Sequence, residues 1–388
     1  MSRPPILDDR GLQAILTAIQ DARLVGGAVR DTLAGLPVHD IDLATPSSPD
    51  AVIAALRKAG LKAVPTGLAH GTVTAVANHR GYEITTLRRD IATDGRHATI
   101  AFTDNWREDA ARRDFTINAM SMDANGQIFD YFDGAEDLRA GHLRFVGDPT
   151  ARIAEDYLRI LRYFRFWSRY GRETPNQATQ AALRAGIPGL AQLSVERVWH
   201  EFSRLLVAPN PMPTINLMND LSVLSTIIAE GVSPARLQTL IAAHAPPDAM
   251  LRFAALLTGC AHALATRLRL STTERDRLIA LRGGPTPRPD DDDDTLRRLL
   301  ADIPLETLIG RTWLNGAPTA DWAALRARLQ AIPVPIFPLE GRDALALGLA
   351  PGPAVGNLLR EVRTWWLANG CRADGNACRA QLRHRAGP

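Results

Sequence analysis

Leu24-Val25-Gly26-Gly27-Ala28-Val29-Arg30-Asp31, followed nine residues on by Asp40-Ile41-Asp42, is the stretch whose reading decides the fold. An apolar run, a glycine pair and a helix-forming segment read as strand, tight turn and helix start. Unblocked backbone N–H groups at a helix N-terminus favour phosphate, by hydrogen bonding and through the helix dipole. Strand side chains alternate faces with period two, so the spacing predicts Asp40 and Asp42 on one side of a strand. Val38, Ile41 and Leu43 give that strand a packed face. A phosphate cradle beside two carboxylates suits Mg²⁺, a hard cation usually held by one or two carboxylates together with its substrate's phosphates. Alone, Asp-x-Asp is common in solvated turns and Gly-Gly in turns that need positive φ. The apolar framing sets this pair at a structured edge.

With 388 residues the chain is long enough for two or three domains and an ample core. The formal net charge is +3 and the pI about 8.9, which permits nucleic-acid binding without requiring it. Lys58 and Lys62 are the only lysines; the other basic residues are arginine. Coding bias is the plain explanation, although a planar guanidinium also suits phosphate. Cys260, Cys371 and Cys378 are an odd number without zinc-type spacing, which fits a reducing compartment. The start has no signal-peptide core, and no run approaches 18 uninterrupted apolar residues. These features lead to the expectation of a cytoplasmic protein with no membrane association; nothing implies a protein partner.

Residues 1–145 mix helix and strand patterns. An amphipathic helix is expected around residues 12–19, and strands at 72–76 and 82–86 joined by the turn Asn78-His79-Arg80-Gly81 as a hairpin beside the Asp-x-Asp strand. Between residues 88 and 104 apolar periodicity is lost, and a mobile loop is expected. From Asp148 onward apolar residues recur at three and four spacing, as over 153–167 and 249–268, so the rest reads as all-α. Proline-rich breaks at 209–213 and 285–289 separate helical groups. The five carboxylates of 290–294 read as a solvated linker or a helix N-terminus.

Three further clusters carry chemistry. Glu83, between Tyr82 and Ile84, is the candidate third carboxylate, to orient a metal or accept the proton of an attacking hydroxyl. An ordinary exposed strand glutamate is the bland alternative. Arg112-Arg113-Asp114-Phe115-Thr116-Ile117-Asn118 suits a ribose triphosphate, with arginine on phosphates and Asp114 or Asn118 on sugar hydroxyls, and reads as a helix start. A surface ion-pair cluster is the alternative. The third is Arg152-Ile153-Ala154-Glu155-Asp156-Tyr157-Leu158-Arg159-Ile160-Leu161-Arg162-Tyr163-Phe164-Arg165. A continuous helix would put Glu155 and Asp156 on one face with Arg159, as an ion-pair ladder or as a base reader. Cytosine and adenine both offer an exocyclic amine beside a ring acceptor. A carboxylate and a guanidinium match that pattern and reject guanine and uracil.

These motifs, in this order, resemble the class II CCA-adding enzymes of the bacterial tRNA nucleotidyltransferase/poly(A) polymerase family. The resemblance is dense over residues 22–206 and ends with Ser194-Val195-Glu196-Arg197-Val198-Trp199-His200-Glu201, similar to that family's neck-helix motif. It implies an α+β fold: a DNA polymerase β-like nucleotidyltransferase head with a mixed sheet (1–145), neck helices that template the nucleotide (146–208), and an all-α, tRNA-binding body and tail (209–388). It further implies that Asp40 and Asp42 hold Mg²⁺ with Glu83 assisting, and that Gly27, Arg30 and Arg113 bind the triphosphate with Asp114 near the ribose. Asp156 and Arg159 would read the base, supported by Arg162 and Arg165. CTP and ATP would be substrates and tRNA the acceptor. The tail stretch 341–357 resembles the family's C-terminal segment, and Arg372, Arg379, Arg383 and Arg385 are candidate RNA contacts.

The nearest alternatives are a poly(A) polymerase and a partial enzyme adding only CC or only A. Gly67-Leu68-Ala69-His70-Gly71-Thr72-Val73 and the lack of a lysine-rich tail favour CCA addition. A non-catalytic RNA-binding protein would have lost carboxylates that this chain keeps. A small-molecule nucleotidyltransferase would have little use for the long helical half.

Overall fold

The computed structural model describes residues 3–93 and 98–387. The chain forms two compact units, Met1–Ile227 and Ile228–Pro388. In the first, α1 (Arg10–Ala18) begins at Asp9, whose carboxylate accepts the Leu12 N–H at 2.8 Å, and buries Leu12, Ile15 and Leu16. There follow β1 (Arg23–Val25), α2 (Gly27–Leu33), β2 (Asp42–Thr45), α3 (Pro49–Lys58), β3 (Lys62–Gly67), β4 (Thr72–Ala77) and β5 (Arg80–Thr86). Then come β6 (Arg88–Thr93), β7 (Ala98–Phe102), α4 (Trp106–Ala111), β8 (Met120–Met122), β9 (Ile128–Asp130) and α5 (Gly134–Ala140). Helices α6 (Pro149–Glu155), α7 (Leu158–Tyr170), α8 (Gln177–Gly186) and α9 (Val195–Leu206) complete the part that matters for the site.

Seven strands make one sheet in the order β3-β4-β5-β2-β1-β8-β9. Only β2 against β5 is parallel, so the sheet is mixed as expected. The β4–β5 hairpin turns on Asn78 and His79, both at positive φ (51° and 62°), the backbone that a two-residue turn between twisted strands demands. Tyr82 and Ile84 are buried while Glu83 between them is exposed, so β5 alternates as its sequence implies. Its parallel register sets Asp42 beside Glu83.

An aromatic cluster ties the sheet-bearing part to α7. Phe115 lies 5.0 Å from Phe145 and 5.4 Å from Phe166, and Phe145 stacks on Tyr163 at 5.4 Å, ring centre to ring centre. Aromatic pairs in this range add to area burial and fix orientation, so α7 has a firm seat against the head. After β9 the described residues contain no further strand, and the second unit is helical throughout. Two of its cores are Leu296, Leu300, Leu308, Leu325 and Leu329, and, toward the C-terminus, Val362, Trp366, Cys378 and Leu382. The 290–294 acidic run is a helix N-terminus: Asp292 caps the helix Asp293–Leu300 by accepting the Thr295 N–H at 2.7 Å.

Several local expectations change. Where a mobile loop is expected, β6 and β7 pair as a two-stranded antiparallel ribbon, with residues 94–97 outside the described residues. A ribbon outside the main sheet is held by backbone hydrogen bonds, so it leaves little hydrophobic period to read. Arg112 and Arg113 close α4 instead of opening a helix. Asn105 starts that helix by accepting the Arg107 N–H at 2.9 Å, with Glu108 and Asp109 in its first turn and Arg112 as its C-cap, the order the helix dipole favours. The helix expected through 152–165 breaks at Asp156, whose backbone is extended (φ −156°, ψ 107°) and whose Oδ1 accepts the Leu158 N–H at 3.0 Å. Aspartate competes with the helix for local hydrogen bonds in this way. The 249–268 run is two helices, Ala249–Leu256 and Ala261–Arg267. It is interrupted near Gly259, where a Cβ would meet the Glu230 carbonyl oxygen at 1.9 Å.

Candidate active site

A single cleft of about 1250 Å³ in the first unit gathers the sequence-selected residues. Gly26, Gly27 and Arg30 of the β1–α2 turn line it, as do Asp40, Asp42, Arg113, Asp114, Asp156, Arg159, Arg162 and Arg165. Eight arginines and five aspartates contribute to the walls, so the cleft is lined by cation in excess of anion. Among the selected residues only Glu83 does not wall the cleft; it lies exposed next to Asp42 in the β2–β5 register.

On the phosphate side Gly26 has φ +61°, and a Cβ there would lie 2.8 Å from Arg113 Nη1. Both facts demand glycine, because the backbone conformation and the space exclude a side chain. Arg113 donates to Asp109 Oδ2 at 3.2 Å and to the Asn118 carbonyl at 3.3 Å. Burial pushes its pKa down and Asp109 pulls it back. Arg30 is buried and largely engaged: Nε and Nη2 donate to Asp31 at 3.0 and 3.1 Å, and Nη1 to Asn118 Oδ1 at 2.5 Å. Asp114 is also committed to protein. Its Oδ2 accepts Arg162 Nε at 2.8 Å and Nη2 at 2.5 Å, and its Oδ1 accepts Asn118 Nδ2 at 3.0 Å. Burial would raise its pKa, but the charge of Arg162 and these hydrogen bonds outweigh burial and hold the carboxyl below the ordinary value.

Asp40 is exposed and stands just ahead of β2, so the two aspartates straddle a strand entry instead of sharing the strand. Arg80 donates to the carbonyl of His39, the residue before Asp40. Desolvation by the surrounding protein raises the pKa of Asp42, although its side chain opens to the cleft. Glu83 and Asp40 add to the rise, and Arg113 opposes it. Carboxylates that raise one another's proton affinity produce a field that also attracts a cation. Among the described residues no group of three or more His, Cys, Asp or Glu could cage a metal by protein ligands alone. Two carboxylates completed by substrate phosphates are a donor set that fits Mg²⁺ without such a cage.

At the α6–α7 junction, which also lines the cleft, the expected pairing of Asp156 with Arg159 is absent. Arg159 Nη1 bonds Glu155 and the Arg152 carbonyl, the latter at 2.8 Å, while Asp156 Oδ2 accepts Arg197 Nη2 at 2.7 Å. The break at Asp156 is the cause, since it turns that carboxylate toward α9. Arg165 Nε donates to buried Glu201 at 2.5 Å, and Arg162 Nη1 lies 3.9 Å from the same carboxylate. Thus Arg197 and Glu201, one turn apart on α9, hold both charge types of this part of the cleft. Their own motif carries no local sign of these partners, which lie 41 and 36 residues away in the chain. Asp31 and Tyr170 were likewise missed, because nothing local in the chain relates positions 139 apart.

The head, the phosphate-side glycines, the carboxylates and the arginine wall define a nucleotidyltransferase. Residues 22–144 match the family model of the poly A polymerase head domain, and residues 174–236 match the one described as "Probable RNA and SrmB- binding site of polymerase A". The mitochondrial CCA tRNA nucleotidyltransferase 1 of Danio rerio is 36% identical over 361 residues, covering 89% of this chain and 83% of the relative. The CCA-adding enzyme of Streptococcus gordonii is 42% identical over 200 residues, about half of each chain. A crystal structure of the Bacillus stearothermophilus CCA-adding enzyme in complex with CTP superposes with a TM-score of 0.76 at 27% identity, covering 97% of this chain and 98% of that one. The chain belongs to the CCA tRNA nucleotidyltransferase family. Among the described residues no helix is long and apolar enough to cross a membrane.

Proposed function

We propose that this protein adds CCA to the 3′ end of tRNA from CTP and ATP without a nucleic-acid template, releasing pyrophosphate. The observation that carries the reading is that one cleft is lined by both the carboxylate pair and the set Asp156, Arg159, Arg162 and Arg165. A triphosphate seated by Gly27 and Arg113 on the α2 side would present its base to that set. Asp156 would accept from the exocyclic amine and Arg159 donate to the ring acceptor, a pattern that cytosine and adenine share. For this, Asp156 and Arg159 must share their present partners Arg197 and Glu155 with the base. Asp114, already bound to Arg162, would fix the ribose end indirectly.

Asp40 and Asp42 would hold Mg²⁺, which when bound supplies charge neutralisation at the phosphates and activation of the attacking oxygen. Glu83, beside Asp42, would take part in orienting the attacking 3′-hydroxyl. Attack on the α-phosphate in line with the departing pyrophosphate then needs little else from the protein than positioning and charge. The domain roles that accompany this reading are a catalytic head (1–145), templating neck helices (146–208) and a tRNA-binding body and tail (209–388). Three cysteines with free thiols suit a reducing compartment, and the cytoplasm is the proposed one.

The test is extension of a tRNA lacking its 3′ end, with Mg²⁺ and CTP alone, ATP alone, or both. Three added nucleotides only when both are present is the expected result. Two with CTP and none beyond would indicate a CC-adding enzyme, and a long ladder with ATP alone a poly(A) polymerase. No extension would favour a non-catalytic RNA-binding protein.

A further inference from the structure

Six side chains of the first unit close a hydrogen-bonded ring. Tyr170, the last residue of α7, donates its hydroxyl to Asp31 Oδ1. Asp31 holds Arg30 through both oxygens, at 3.0 and 3.1 Å. Arg30 Nη1 reaches Asn118 Oδ1 at 2.5 Å, Asn118 Nδ2 reaches Asp114 Oδ1 at 3.0 Å, and Asp114 Oδ2 accepts Arg162 at 2.5–2.8 Å. Arg162 is again on α7, so the ring leaves that helix at residue 170, crosses α2 and the segment after α4, and returns two turns earlier. Inside it the Arg30 guanidinium lies over the Phe166 and Tyr170 rings, 4.9 and 4.6 Å from their centres. Arg30 is 8% exposed, so it serves better as the keystone between α2 and α7 than as a freely presented phosphate ligand. Burial and the bond to Asp31 push the Tyr170 hydroxyl up to about 12 against the pull of Arg30, so it remains a donor at neutral pH.

We propose that Tyr170 and Asp31 are positioning residues for nucleotide selection. Through Arg30 they fix the spacing between the α2 turn, where the triphosphate sits, and the α7 arginines that face the base. This rests on the functional reading above. A nucleotide anchored by its phosphates is discriminated by its base only if the reader stands at a set distance from the anchor. A loosened α7 lets the reader follow a wrong base and weakens its grip on a right one. Selection of C and A over U and G therefore falls, and kcat falls with it, since alignment is lost in the reacting complex.

The test uses the full chain with tRNA lacking its 3′ end, measuring kcat and KM for CTP, ATP, UTP and GTP separately. Tyr170→Phe keeps the ring on which Arg30 stacks and deletes one hydrogen bond to a charged group. The expected result is an about tenfold fall in the preference for CTP and ATP over UTP and GTP, carried mainly by kcat. Tyr163→Phe is the control on the same helix. It deletes a hydroxyl that bonds the Leu143 carbonyl at 3.3 Å, outside the ring, and the preference should stay unchanged. A preference within twofold of wild type in Tyr170→Phe overturns the proposal, as does an equal fall in both variants. If wild type extends the tRNA with no nucleotide, the functional reading itself fails and the inference falls with it.

Discussion

Arginine serves different purposes in the cleft of the first unit and near the C-terminus of the second. In the first unit, the side chains of Arg30, Arg113, Arg159 and Arg165 are 9–19% exposed, each against a carboxylate that is itself partly or wholly buried. In the second, Arg363, Arg372, Arg379 and Arg385 are 35–65% exposed, and their partners Asp302, Asp294, Asp343 and Glu361 range from partly buried to open. Removing one member of a buried pair strands the other charge, whereas exposed pairs are screened and worth little. The lesson is that arginine has consequences residue by residue where it is buried, in the cleft and at Arg252 and Arg311 of the helical unit, and mainly in aggregate toward the C-terminus.

The sharpest break in this comparison should come from Asp42→Ala. Incorporation of CTP and ATP should fall by roughly 10³-fold or more while tRNA affinity persists, because the metal's contribution is several kcal/mol. A gel-shift and a single-turnover extension assay on the same preparation check both halves. If tRNA binding is lost together with the fold, Asp42 is structural. Next, replacing Asp156 and Arg159 should change which nucleotide is accepted by roughly 10- to 100-fold, the worth of one bidentate base contact. Unchanged preference with both replaced would remove the base-reading role.

Gly26→Ala should cost about 1–3 kcal/mol by forcing a side chain into a positive-φ site crowded by Arg113. Thermal unfolding reads that loss, and a raised KM for both nucleotides should accompany it. A smaller effect concerns acid. Asp114 is held below its ordinary value of 3.8, so its stabilising contribution is complete above that value and is lost as pH falls below it through the folded-state pKa. Stability of Asp114→Asn should therefore be lower at neutral pH and should decline less steeply on acidification than wild type. At the far end, Arg383→Ala, at an exposed position of the C-terminal helix Gly375–Ala386, should weaken tRNA binding by about threefold or less and lower the salt slope by about one, as expected for one phosphate contact.

Much of the head was legible because its signals are local. Gly26-Gly27 marks a turn wherever it stands, and the alternation around Tyr82, Glu83 and Ile84 announces a strand with one wet face. The misreadings share a cause as well. The break at Asp156 depends on a side chain choosing a backbone N–H over the helix, and the β6–β7 ribbon on a backbone pairing outside the main sheet. Arg112 and Arg113 read as a helix start because the apolar run after them masks the cap at Asn105, which starts the helix they close.

The order of residue types along the chain determined the class of chemistry: carboxylates framed by apolar residues, glycines at a strand end, and carboxylate–guanidinium sets at helical spacing, since each of these acts over a few residues. Only the tertiary structure decided which guanidinium answers which carboxylate. Asp156 faces Arg197 and not Arg159, Arg162 holds Asp114, and Tyr170 reaches Asp31 across 139 residues. Charge is carried by residue type, but the partner of a buried charge is settled by how helices pack, and packing is a property of the whole folded unit.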